Sequence, residues 1–217
     1  MNKTALVIGA TGLVGKQLIR LLIENDSFSE IRVFARRSIG LTHSKLQEHI
    51  IDFEKPEEWE SQLTGDVLFS TLGTTLKVAG SKENQYKVDY SYQYSFARIA
   101  AANKVPCYVL VSSAGANSKS SIFYSKMKGE LDEAVSKLSF ESITILRPSI
   151  LDGNREEKRL AEKISLIISR ILLKVIFRKY RPIKDKIVAQ AMINAAVNRT
   201  EGFRIVEAGK VFELAGR

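Results

Sequence analysis

The sequence predicts an α/β fold, a doubly wound parallel sheet with helices on both faces, in a single domain over residues 1–217. Three observations predict it. Short apolar runs alternate with amphipathic helical patterns along the chain. The first of these runs breaks into a glycine-rich turn that opens a helix. No repeat, low-complexity tract or proline-rich linker divides the chain, and 45% hydrophobic content over 217 residues is enough for one core.

Taken in order, the first strand is predicted over 4–8, where Ala5-Leu6-Val7-Ile8 stops at Gly9. Val14, Leu18, Leu21 and Leu22 mark one face of a helix over 13–25. Gly9, Gly12 and Gly15 lie at the turn, which lets the backbone approach a pyrophosphate and aims the helix N-terminus at its charge. Gly9, Ala10, Thr11, Gly12, Leu13, Val14 and Gly15 are therefore candidate dinucleotide contacts. Glycines also close ordinary turns; the position between a strand and a helix selects the binding reading.

A second strand over 31–35 ends in Arg36-Arg37. An acid at this point would bond a ribose 2′-hydroxyl, whereas arginine suits a 2′-phosphate. The pair thus predicts NADP(H), with plain surface charge as the alternative. The third strand, 49–51, leads into Asp52 and Phe53, read as an adenine-amino acceptor with a ring beside it, or as a helix cap. A helix is expected over 56–63. The fourth strand, 66–71, delivers Leu72, Gly73 and Thr74 to the carboxyl edge, where open sheets bind ligands. A long helix over 84–103 follows.

The fifth strand, 107–112, brings Ser112 and Ser113 to that edge. Tyr124 and Lys128, four apart, share one face of the next helix, placed over 125–138. An ammonium there lowers the phenol's pKa, and the phenol can then pass a proton to or from a carbonyl oxygen that a serine orients. A sixth strand over 143–147 precedes Pro148; helices over 158–179 and 186–197 and a short strand near 203–206 complete the chain.

With these elements in place, the chain resembles the short-chain dehydrogenase/reductase superfamily, whose Rossmann-like sheet carries a Ser–Tyr–Lys set. It is more closely similar to an atypical branch that includes the Tat-interacting oxidoreductase-like proteins. The Gly9–Gly15 loop, Arg36-Arg37, Asp52-Phe53-Glu54-Lys55, Leu72-Gly73-Thr74-Thr75 and Val88-Asp89 carry the resemblance. So do Ser112-Ser113-Ala114-Gly115-Ala116, Tyr124 to Glu130, and Leu146-Arg147-Pro148. It implies NADPH in an extended pose, with Arg36 and Arg37 at the 2′-phosphate and Tyr124 and Lys128 at the nicotinamide ribose. It also implies Ser113 as the catalytic serine, with Ser112 as the alternative, and a Pro148 turn at the nicotinamide end. The branch includes NADPH-binding regulators, so the triad implies competence rather than turnover.

Composition bounds the rest. Cys107 is the single cysteine, which excludes an intrachain disulfide, and its apolar surroundings predict packing rather than nucleophilic chemistry. His43 and His49 lack metal-ligand spacing and no acidic cluster accompanies them, so no metal is expected. The formal charge of +9 concentrates in 155–186, where eleven Lys/Arg meet four Asp/Glu for a net of +7. Stacking aromatics are scarce there, which argues against nucleic acid. Within 158–179 a wide apolar surface carries a narrow basic stripe. It is read as a helix packed on the domain, as a lid or homodimer surface, or, less favoured, as an interfacial helix on anionic membrane. With no secretory leader and no bilayer-length apolar run, the expected setting is cytoplasmic and reducing.

The leading expectation is an NADPH-dependent reductase of a small carbonyl substrate. An NADP(H)-binding redox sensor without turnover is the second class. A sugar-nucleotide epimerase or dehydratase is the third, disfavoured by the short stretch after Pro148.

Overall fold

The computed structural model describes residues 2–149, 151 and 182–216. The expected helix over 158–179 lies outside them. Seven strands form one sheet: β1 (Lys3–Ile8), β2 (Phe28–Ala35), β3 (Leu46–Ile50), β4 (Val67–Ser70), β5 (Cys107–Val111), β6 (Ser142–Arg147) and β7 (Gly202–Glu207). Their order is β3-β2-β1-β4-β5-β6-β7 and every pairing is parallel. The order reverses between β1 and β4, which opens a crevice at their carboxyl ends. The expected doubly wound sheet is the observed one.

Successive strand residues face opposite sides, so each strand feeds two cores. Ala5, Val7, Val33, Phe69 and Val109 pack against α1 (Leu13–Glu24) and the late helix Asp185–Val197. Leu6, Ile8, Phe34, Leu68 and Leu110 face Trp59, Phe96 and Leu131 on the other side. Helices on both faces hide the sheet, which is why the central strands read as unbroken apolar runs.

Between β4 and β5 the chain runs through α2 (Leu76–Ala79), α3 (Lys82–Tyr86), a π-helical turn (Lys87–Tyr92) and α4 (Gln93–Ala102). The single helix expected over 84–103 is thus broken by a wider turn, and Asp89 within it is buried. The helix expected over 56–63 is two 3₁₀ turns, Pro56–Glu58 and Glu60–Gln62. Trp59 between them leaves helical geometry to bury its ring on Phe96, and its indole N–H donates to the Asp52 carbonyl at 2.8 Å. β2 and β3 start three residues earlier than expected, because Phe28 is core and Leu46 pairs with Ile31.

After β5 comes α5 (Phe123–Val135), and after the undescribed stretch come α6 (Asp185–Val197) and α7 (Ala208–Leu214). Among the described residues no helix is long and apolar enough to cross a membrane.

Candidate active site

The glycine loop gives its three glycines three different tasks. Gly9 has φ +82°, and a Cβ there would lie 2.4 Å from the Leu72 nitrogen. At Gly15 a Cβ would meet the Gly9 carbonyl oxygen at 2.2 Å, so only glycine lets α1 pack this close to the turn. At Gly12 the nearest atom is 3.4 Å away, an ordinary contact; the protein itself does not demand glycine there. Space above Gly12 is what a pyrophosphate approaching the backbone needs. Gly12 is the N-cap of α1, with no side-chain cap and no acid in the first turn. The first N–H groups of the helix and its positive dipole end are therefore left for an anion.

A cleft of about 380 Å³ lies beside this loop, lined by Gly9, Ala10, Thr11, Phe34, Ala35, Arg36, Arg37, Phe53 and Leu72. Seven of the expected cofactor contacts, all outside the helix, meet here, and Phe34 and Ala35 join them unforeseen. The Arg36 guanidinium sits 5.7 Å from the centre of the Phe53 ring, which orients it across the cleft. Asp52 stands outside. Its Oδ1 accepts the Glu54 N–H at 2.9 Å, a local turn contact rather than the helix cap expected as its alternative role, since Lys55 is the residue that precedes the first 3₁₀ turn. Val14 is buried in the core beneath α1, and Leu13 is exposed; neither side chain lines the cleft.

Farther along the edge, the helix carrying the Tyr–Lys pair is held by close approach. A Cβ on Gly129 would meet the Ser118 nitrogen at 2.1 Å, and the Asn117 N–H donates to the Ser125 carbonyl at 2.9 Å. The loop after β5 therefore lies flat on α5. Tyr124 is 40% exposed, whereas Lys128 is 3% exposed. The Lys128 Nζ faces Asp89 Oδ1 at 3.9 Å, and Asp89 Oδ2 accepts the Thr74 N–H at 2.9 Å. Gly73 makes this possible: a Cβ there would lie 3.3 Å from Asp89 Oδ1. Burial pushes the Asp89 carboxyl above the usual range, offset by the Lys128 charge and the Thr74 N–H.

The two serines part company. Ser112 is buried and Ser113 is half-buried, its hydroxyl donating to the Ala114 carbonyl at 3.3 Å. The Ala114 N–H donates to the Pro148 carbonyl at 3.0 Å, so the loops after β5 and β6 close the same end of the site. Among the described residues no hydrogen bond joins Ser113, Tyr124 and Lys128. Asp89 enters the sequence reading only as part of a motif. In a stretch rich in tyrosine and polar side chains it carries no signal of its own, and only the π turn that buries it brings it to Lys128.

Cys107 is buried, and burial pushes its thiol up to about 11, so it packs rather than attacks. His49 stacks on Phe34 with its ring centre 4.7 Å away. No group of His, Cys, Asp and Glu among the described residues is arranged to hold a metal.

Residues 9–168 match the family described as NAD(P)H-binding. Protein fmp52, mitochondrial, of Aspergillus fumigatus is 35% identical over 209 residues, covering 90% of this chain and 88% of that protein. The chain belongs to the NAD(P)H-binding family, among the Fmp52 proteins. Protein FMP52-1, mitochondrial, of Scheffersomyces stipitis is 37% identical over 201 residues, covering 89% and 88%. The crystal structure of an oxidoreductase of the short-chain dehydrogenase/reductase family from Burkholderia thailandensis superposes on this NAD(P)H-binding chain with a TM-score of 0.71. At 16% identity, over 98% of this chain and 94% of that one, the likeness is one of fold.

These relatives overturn the cytoplasmic setting, since they are named as mitochondrial proteins. The lack of a secretory leader and of a membrane span does not bear on a mitochondrial destination.

Proposed function

We propose that this NAD(P)H-binding protein is an NADPH-dependent reductase of a small carbonyl compound, working as one domain in a mitochondrial setting like that of its named relatives. The observation that carries the reading is the pairing of Arg36 and Arg37 in the cleft with a buried Lys128 on the Tyr124 helix. The residues present fit the cofactor. An uncapped helix end and an unobstructed Gly12 suit the pyrophosphate. Two guanidiniums and no lining acid suit a 2′-phosphate better than a bare ribose hydroxyl.

When bound, the reduced nicotinamide supplies hydride to the carbonyl carbon. The protein's part is to bind, orient and protonate. Tyr124, 40% exposed, donates its phenolic proton to the carbonyl oxygen as that oxygen gains charge. Lys128 lies one turn along the same helix, where its charge stabilises the phenolate left behind. Ser113 is the serine placed to orient substrate, because Ser112 is sealed beneath the strand end. Asp89 balances the Lys128 charge and ties it to the Thr74 backbone.

NADPH oxidation assayed against a panel of aldehydes, ketones and quinones tests the reading. Tyr124→Phe should lower turnover about 10²–10⁴-fold while leaving NADPH affinity nearly intact. One observation favours a second reading, an NADP(H)-responsive regulator: Ser113 bonds a neighbouring carbonyl rather than Tyr124. Tight NADPH binding by a wild type that no carbonyl compound turns over would select that reading.

A further inference from the structure

Beneath Lys128 lies a polar cluster that the proposed chemistry does not use. Asp132 follows Lys128 by one helical turn on α5, so the two side chains leave the same face. Asp132 is 2% exposed. Its Oδ2 accepts from Arg147 Nε at 2.9 Å, and Arg147 Nη1 donates to Glu207 Oε1 at 3.1 Å. Arg147 closes β6 and directly precedes Pro148, while Glu207 is its register partner on β7. A single guanidinium thus joins the Tyr124–Lys128 helix to the strand end that carries the Pro148 turn.

The rest of the cluster goes beyond a structural clamp. Asp132 Oδ1 and Ser112 Oγ are both buried, and no hydrogen bond of ordinary geometry satisfies either among the described residues, although the Ser112 hydroxyl lies near enough to act on the carboxyl. Burial pushes the Asp132 carboxyl up, and Ser112, Lys128 and Arg147 all draw it down. Four polar groups from α5, β6 and the end of β5 therefore meet at the nicotinamide end, three of them buried and Arg147 partly exposed. A pair needed only for stability could be replaced by apolar packing. What an ionic cluster adds is a fixed direction for each group it touches.

We propose that Asp132, acting through Arg147 and Ser112, is a positioning residue that holds the Tyr124–Lys128 helix in register with the Ser113 and Pro148 loops and so seats the nicotinamide end of NADPH. The inference rests on the NADPH reading above. Its effect is confined to that end, because Arg36, Arg37 and the glycine loop lie across the β1–β4 crevice.

Adenosine 2′,5′-bisphosphate, which carries the 2′-phosphate and no nicotinamide, separates the two ends. The full chain and its Asp132→Asn variant are titrated with this compound by calorimetry, and with NADPH by nicotinamide fluorescence. Asp132→Asn should bind NADPH about tenfold more weakly and lose the emission shift of the bound nicotinamide, with bisphosphate affinity unchanged. Asp132→Glu, which keeps the carboxylate, should recover part of the shift. Wild-type emission and NADPH affinity in Asp132→Asn would overturn the proposal and leave the cofactor reading standing. A wild type that binds neither compound would remove the cofactor reading, and the proposal with it. If Asp132→Asn does not fold, Ser112→Ala carries the same test: loss of the emission shift supports the proposal, and an unchanged shift overturns it.

Discussion

The two ends of the sheet's carboxyl edge are built on opposite principles. Around the cleft, donors are left open: the N-terminus of α1 has no cap, and Arg36 leans on the Phe53 ring rather than on an acid. Around Lys128 every charge is already answered within the protein. Asp89 faces the ammonium at 3.9 Å, and Asp132 takes Arg147 at 2.9 Å. The first arrangement suits binding, because cationic groups outside any ion pair among the described residues can take an anion. The second stores geometry, because buried ions hold position only when compensated. Affinity should reside at one end and orientation at the other.

The harshest way to break this division is through the backbone. Gly15→Val would drive its side chain into the Gly9 carbonyl, since even a Cβ falls 2.2 Å from that oxygen. Thermal melting should show a protein unfolded or destabilised by more than about 4 kcal/mol. Next is Lys128→Ala, which strands the Asp89 carboxylate in a site where it is 2% exposed. Removing one partner of a buried ion pair costs about 3–5 kcal/mol, so denaturant titration should show a loss of that order together with lost turnover.

Arg36→Ala acts at the other end and should leave stability nearly unchanged. NADPH binding should weaken by about 1.5–3 kcal/mol while NADH binding barely moves, as calorimetry with both cofactors would show. Equal losses for the two would end the assignment of Arg36 to the 2′-phosphate.

The smallest effect is a pH dependence. The Asp89 carboxyl is raised in the folded state, so folding strengthens its hold on the proton. Its contribution to stability is therefore full below the unfolded value and is lost as pH rises through the folded one. From about pH 4 upward, Asp89→Asn should lose less melting temperature per pH unit than the wild type. A steeper fall in the variant would show that Lys128 overrides burial.

How much of this was legible beforehand differs between the two ends in the same way. The cleft could be read because its parts are local. A strand stop, three glycines and an Arg-Arg pair each carry their meaning within a few residues, and the parallel sheet makes their convergence a matter of strand order. The Lys128 end could be read only as a spacing. Tyr124 and Lys128 share a helix face by periodicity, but nothing in that periodicity says that one is 40% exposed and the other sealed. Asp52 shows the limit from the other side: its place after β3 is legible in sequence, but the turn contact of its Oδ1 with the Glu54 N–H is not.

By itself the sequence determined the alternation of strands and helices, the glycine turn with its open helix end, and the basic character of the second strand's end. These follow from side-chain period, backbone freedom and charge, which are properties of neighbours along the chain. Only the tertiary structure decided that a π turn aims Asp89 at Lys128, that Gly129 lays the serine loop on α5, and that Arg147 reaches Asp132 from another strand. Those contacts join residues 11 to 39 positions apart, and a buried charge has no signature in sequence until its partner is known.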